Sequence, residues 1–166
     1  TSDTVKQQLG SLSDLITQEY AYTNADIREE SETWIFGLTK PGTKTRLVVT
    51  YDGVIKAGID LSRVQVTVNE ERREITVSLP ASRITDHNIP QETIDIVEVK
   101  NGLFNKISLD DYNAFIGEQK PPMEKKAIDY GLLRKADEEA RKLVEALLNA
   151  MPGIGSGEDA YKLIIQ

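Results

Sequence analysis

His87 is the only histidine in the chain and stands in the run Thr85-Asp86-His87-Asn88. A histidine titrates near neutral pH, so a neighbouring aspartate that oriented its ring would make it a general base. Adjacent residues of an extended segment point to opposite faces, however, which places Asp86 badly for that task. No G-x-S-x-G motif supplies a nucleophile either, and His87 reads as a loop or edge residue without chemistry. Two carboxylate pairs, Asp52 with Asp60 and Asp110 with Asp111, are the material of a glycosidase site. Such a site also needs a cleft and one acid with a raised pKa. Asp52 is better explained by a turn, and Asp110 and Asp111 by the positive end of a helix dipole.

Gly153, Gly155 and Gly157 are spaced like part of a nucleotide-binding loop. That loop follows a strand, opens a helix and, in its P-loop form, carries a lysine and a hydroxyl. Here the order is reversed and that pair is missing, so the glycines read as a linker that ends a helix. Calcium would require oxygen ligands in a D-x-D-x-D-G loop, and the sequence contains none. Catalytic residues, cofactor ligands and metal ligands are therefore all assigned as none. The remaining pattern is a stripe, Leu133, Ala136, Ala140, Leu143 and Leu147, which approximates a heptad over about two to three repeats. It reads first as packing against the domain's own sheet, and second as a seam for a partner helix or a second copy.

Composition narrows the field further. The 166 residues fit one domain, and the absence of cysteine removes disulfides, thiolate zinc sites and cysteine nucleophiles. Twenty basic residues against 27 acidic ones give a net charge of −7. With Glu71-Arg72-Arg73-Glu74 and Glu124-Lys125-Lys126 each neutralised locally, nucleic acid is excluded as a partner. No apolar run reaches the ~20 residues of a membrane helix. The chain begins at Thr1 and not at methionine, as a fragment or processed product would, which leaves room for a targeting segment before it.

The elements that must position these residues follow from hydrophobic period. Val5 to Ile16 suits a short amphipathic helix and Glu19 to Thr23 a strand bearing two tyrosines, followed by a charged connection over Arg28 to Glu32. Trp34 to Leu38 reads as a strand closed by the Lys40-Pro41-Gly42-Thr43 turn. Arg46 to Tyr51 is the next strand, and Asp52-Gly53 is expected to fold it into a hairpin with Ile55 to Leu61. Val64 to Leu79, two apolar ladders around a charged reversal at Asn69 to Glu74, forms a second hairpin ended by Pro80. Arg83 to Ile89 suits an edge strand or loop, and Thr93 to Val99 a strand before the Asn101-Gly102 turn. Ser108 then caps a helix that Pro121-Pro122 should break. Met123 to Met151 reads as a long helix bent at Gly131, with Glu138 and Lys142 paired on its outer side. Pro152-Gly153 stops it, and Tyr161 to Ile165 returns as a strand.

The expectation is an α+β fold: an antiparallel sheet built from hairpins, two carboxyl-terminal helices and a final strand. It would be one domain over residues 1–166, with sheet over about 16–107, helices over about 108–151 and the last strand over about 160–166.

The block Tyr51-Asp52-Gly53-Val54-Ile55-Lys56-Ala57-Gly58-Ile59-Asp60-Leu61 resembles the bacterial domain-of-unknown-function family 4230. Tyr20-Ala21-Tyr22-Thr23, Ser78-Leu79-Pro80, Asn101-Gly102-Leu103-Phe104-Asn105 and Asp111-Tyr112-Asn113 agree with it. The resemblance implies one amino-terminal membrane helix in the full-length protein, with this domain displayed outside a bacterial membrane. It transfers no catalytic residue. The expected function is a non-enzymatic binding or assembly module tethered to the membrane; its partner is left unknown, with a homo-oligomer through the long helix as one option. A carboxylate-dependent hydrolase, or another enzyme acting on sugars or peptides, is the alternative.

Overall fold

The fold is that of a computed structural model, which describes residues 5, 7, 13–30, 45–100, 109–155, 157 and 160–166. The strand and turn expected between Trp34 and Thr43, the Asn101-Gly102 turn and the Ser108 cap lie outside the described residues. In order, the elements are β1 (Asp14–Glu30), β2 (Thr45–Asp60), β3 (Gln65–Asn69), β4 (Glu74–Ser78), β5 (Arg83–Asn88), β6 (Asp95–Lys100), α1 (Leu109–Asp129), α2 (Leu132–Asn149) and β7 (Lys162–Ile165). One sheet runs β1-β2-β5 with β6 also paired to β2, and the other runs β3-β4-β7. The fold is α+β, with both long helices near the carboxyl end, as the pattern predicts.

Several boundaries differ from expectation for identifiable reasons. Val5 and Gln7 are helical, but the chain is already extended at Asp14, and β1 persists through Glu30 where a connection was expected. The hairpin expected at Asp52-Gly53 does not form. β2 passes straight through the pair, and Gly53 has no positive φ. A Cβ at Gly53 would lie 2.2 Å from Cζ of Tyr22, so the glycine makes room for a ring and does not turn the chain. Gly58 plays the same part with backbone, since its Cβ would lie 2.0 Å from the Leu15 carbonyl oxygen. The second expected hairpin does form. β3 and β4 pair antiparallel from Gln65↔Ser78 to Asn69↔Glu74. Asn69 Oδ1 accepts the Arg72 N–H at 3.0 Å, and Arg73 takes φ 49° in the reversal.

α1 is not broken at Pro121-Pro122 but continues to Asp129. The two prolines withdraw the N–H groups that would reach the carbonyls of Gly117 and Glu118. Both of those residues are exposed, so water serves the freed carbonyls and the helix survives. The break falls instead at Gly131, whose φ of 85° ends one helix and starts the next. On α2 the outer ion pairs are Arg134–Glu138 at 2.6 Å and Lys142–Glu139 at 3.3 Å, so Lys142 takes Glu139 in place of Glu138. β7 joins β4 in parallel, from Glu74↔Lys162 to Val77↔Ile165.

The chain divides into two compact units. The first comprises Thr1–Tyr20, Ile55–Asp86 and Glu124–Gln166, and the second Ala21–Val54 and His87–Met123. In the first, Ile59 of β2, Val66 of β3, Ile75 and Val77 of β4, and Ala140, Val144 and Leu148 of α2 share one core with Val5 and Ile154. Burial of such aliphatic side chains contributes about 1.5–3 kcal/mol each, which makes this cluster the main source of that unit's stability. In the second unit β2 and β6 pair antiparallel, Val48↔Val97 and Val49↔Ile96, with a bulge between Arg46 and Leu47. Among the described residues of that unit, Tyr51 is the largest fully buried side chain.

Candidate functional site

Apart from the glycine loop, the residues singled out for chemistry fall into three settings. The first lies in the second unit, where β1 turns Tyr22, Asn24 and Asp26 to one face at alternate positions. The Tyr22 hydroxyl and His87 Nε2 are 2.7 Å apart, with the two rings edge to face at 5.8 Å. Asn24 donates to the Tyr51 hydroxyl at 2.7 Å, and that hydroxyl donates to Gln119 Oε1 at 2.6 Å. Gln119 in turn donates to Asp26 Oδ2 at 3.1 Å. The Tyr51 ring meets both Tyr22 and Phe115 edge to face. Tyr51 is 1% exposed and His87 7%. Each polar atom named here is held by another side chain, which is what a buried polar network requires if it is to specify one packing. His87 is thus a buried member of a network on β5, the edge strand of its sheet and not a loop, and Asp86 faces away from it and is exposed.

The second setting is the carboxylates. Asp52 and Asp60 belong to the same strand, not to neighbouring ones, and each has a local duty. Asp52 accepts the Thr23 hydroxyl at 2.6 Å. Asp60 caps the short 3-10 turn Leu61–Arg63, accepting the Ser62 N–H at 3.1 Å and the Ser62 hydroxyl at 2.5 Å. The hydrogen bond from the Ser62 hydroxyl holds the Asp60 carboxyl below the usual carboxylate range. A general acid needs the opposite shift. Asp110 and Asp111 fall in the first turn of α1. Among the described residues, no group of three or more His, Asp or Glu side chains is placed to hold a metal ion.

The glycine loop after α2 is tied to itself. Gly155 N–H donates to the Tyr161 carbonyl at 2.9 Å and Tyr161 N–H to the Gly153 carbonyl at 2.9 Å. Those donors are committed to backbone and do not point at an anion. The Tyr161 hydroxyl also bonds Glu70, and this bond raises the tyrosine pKa above its ordinary value.

The third setting is the stripe on α2, and the structure splits it. Ala136 and Ala140 are fully buried, Leu133 is half-buried, and Leu143 and Leu147 are 43% and 42% exposed. The residues that α2 commits to its own unit are Leu132, Ala136, Ala140, Val144 and Leu148, a strict four-residue spacing. Adjacent apolar pairs in the sequence (Leu132-Leu133, Leu143-Val144 and Leu147-Leu148) offer two helix faces about 100° apart. The spacing alone selected the wrong member of each pair for the core. What remains is one turn of exposed leucines, 143 and 147, that the unit's own core leaves unused.

No curated protein and no solved structure matches the chain. Residues 7–154 match the model of the family described as Protein of unknown function (DUF4230).

Proposed function

The chain belongs to the DUF4230 family of proteins of unknown function, and we propose that it is a non-enzymatic assembly module whose α2 helix pairs with that of a second copy. The observation that carries this reading is the exposure of Leu143 and Leu147, one turn apart on the helix face that core packing does not use. Exposed leucines cost solvation, and a helix partner with the same pair relieves that cost on both sides at once.

Charge supports a second copy as the occupant. The chain as a whole carries −7, so two copies repel over most of their surfaces. On α2, however, Arg134, Lys135, Arg141 and Lys142 balance Asp137, Glu138, Glu139 and Glu145. The helix is therefore a neutral surface on an acidic protein, where close approach of two copies is least opposed.

The experiment is sedimentation velocity over a concentration series, on the wild type and on Leu143→Glu/Leu147→Glu. Concentration-dependent dimerisation that the double substitution removes supports the reading. Dimerisation that survives it sinks the reading. The accompanying proposal, that a segment before Thr1 anchors the module to a membrane, is supported by the family resemblance alone. No helix among the described residues is long and apolar enough to cross a membrane.

A further inference from the structure

Leu143 and Leu147 do not stand alone on the exposed side of α2. Ala146 and Ala150 lie on the same face, since the four follow the i, i+3, i+4, i+7 spacing of one helical stripe, and all four are exposed. Ala150 is the C-cap but keeps helical dihedrals, φ −78° and ψ −9°, so the stripe runs unbroken to the end of the helix. Val144 and Leu148, which α2 commits to its own core, sit about 100° further round the helix. The exposed stripe therefore alternates in size, leucine then alanine twice over, with no charge within it. On its flank Glu139 and Lys142 satisfy each other at 3.3 Å and add no net charge.

Size decides how a second copy lies on such a stripe. In a parallel pair each residue faces its own equivalent, leucine against leucine and alanine against alanine. The leucine levels then hold the two backbones apart and leave the alanine levels underfilled, which close packing disfavours. In an antiparallel pair centred between positions 146 and 147, Leu143 faces the partner's Ala150, and Leu147 faces the partner's Ala146. Every level then holds one leucine and one alanine, the alternation of large and small that fills an interface without strain. Charge selects the same arrangement. A parallel pair sets Glu139 beside the partner's Glu139 and brings the two negative helix ends together, whereas reversal of one helix separates both. We infer that two α2 helices run antiparallel, with Leu143, Ala146, Leu147 and Ala150 as a self-complementary seam. This orientation rests on the α2 pairing proposed above and adds its register.

One distance measurement tests the seam and separates its failure from that of the pairing. The chain has no cysteine, so Lys135→Cys gives a single attachment point for a nitroxide, at an exposed position of α2 ahead of the seam. The distance between labels is read by double electron–electron resonance at the highest concentration of the sedimentation series. An antiparallel pair places the two labels about 35 Å apart, given about 1.5 Å of helical rise per residue on either side of the seam's centre. A parallel pair places them within about 20 Å, because only the spacing between helix axes and the helix crossing separate them. A distance near the longer value, lost when Leu143→Glu/Leu147→Glu is added, is the expected result. The shorter distance overturns the antiparallel seam and leaves the α2 pairing standing. No dipolar modulation between copies, or a distance that survives the double substitution, removes the pairing itself and this inference with it.

Discussion

Replacing Gly53 with alanine sets a methyl carbon against the Tyr22 ring, and the ring must leave its place beside His87. The expected cost is about 1–3 kcal/mol, as for other overpacked positions, read as a drop in the urea midpoint. In a Tyr22→Ala background the same substitution should cost much less, because the obstructing ring is gone. Additive losses would show that Gly53 matters for some other reason. Tyr22→Phe keeps the ring and removes the hydroxyl, leaving His87 Nε2 without this partner, and should cost about 1–3 kcal/mol. Asp60 gives a pH-dependent prediction. Its folded carboxyl is held below the usual range by Ser62, so its contribution to stability is present above the unfolded carboxyl's pKa and is lost as pH falls through the lower folded one. Ser62→Ala should raise the Asp60 pKa measured by NMR towards the ordinary value, and an unmoved titration would contradict the assignment. Asp60 is only half-buried, so solvent screening keeps the effect on global stability small. These residue-level duties were hardly legible in the sequence. Asp52-Gly53 has turn composition, and only the position of Tyr22, far away in the chain, reveals why a glycine stands there.

At the scale of elements, legibility depended on how many alternatives the pattern left open. The β3–β4 hairpin was readable because Val66, Ile75 and Val77 alternate strictly around a polar reversal, and only one register buries all three. β1 was harder, since its half-buried face carries Tyr22, Asn24 and Asp26, polar groups that a period-two hydrophobic reading passes over. The polar network of the second unit could have been suspected from that alternation, but not its partners His87, Tyr51 and Gln119. On α2 the period was plain and the phase was not, because three positions along it offered two apolar neighbours each. That phase is open to test by paired substitutions. Ala140→Leu forces extra volume into the fully buried position and should destabilise the fold by about 1–3 kcal/mol. Leu143→Ser, on the exposed face, should change monomer stability by no more than about 0.5 kcal/mol. Thermal unfolding of both variants at low protein concentration checks the assignment, and the reverse order of effects would refute it.

At the scale of the whole molecule, an acidic chain presents a neutral helix with two leucines that its own core does not need. The side chains whose types could do chemistry have structural work: His87 packed against Tyr22, Asp60 at a cap, the glycines in a self-bonded loop. The exposed leucines of α2 are left as the surface for association. The most direct measurement is sedimentation velocity of the wild type and the Leu143→Glu/Leu147→Glu variant across micromolar concentrations, with circular dichroism confirming that both are folded. A wild-type dimer and a folded, monomeric variant are predicted. A wild type that stays monomeric throughout, or a variant that dimerises equally well, would contradict the claim.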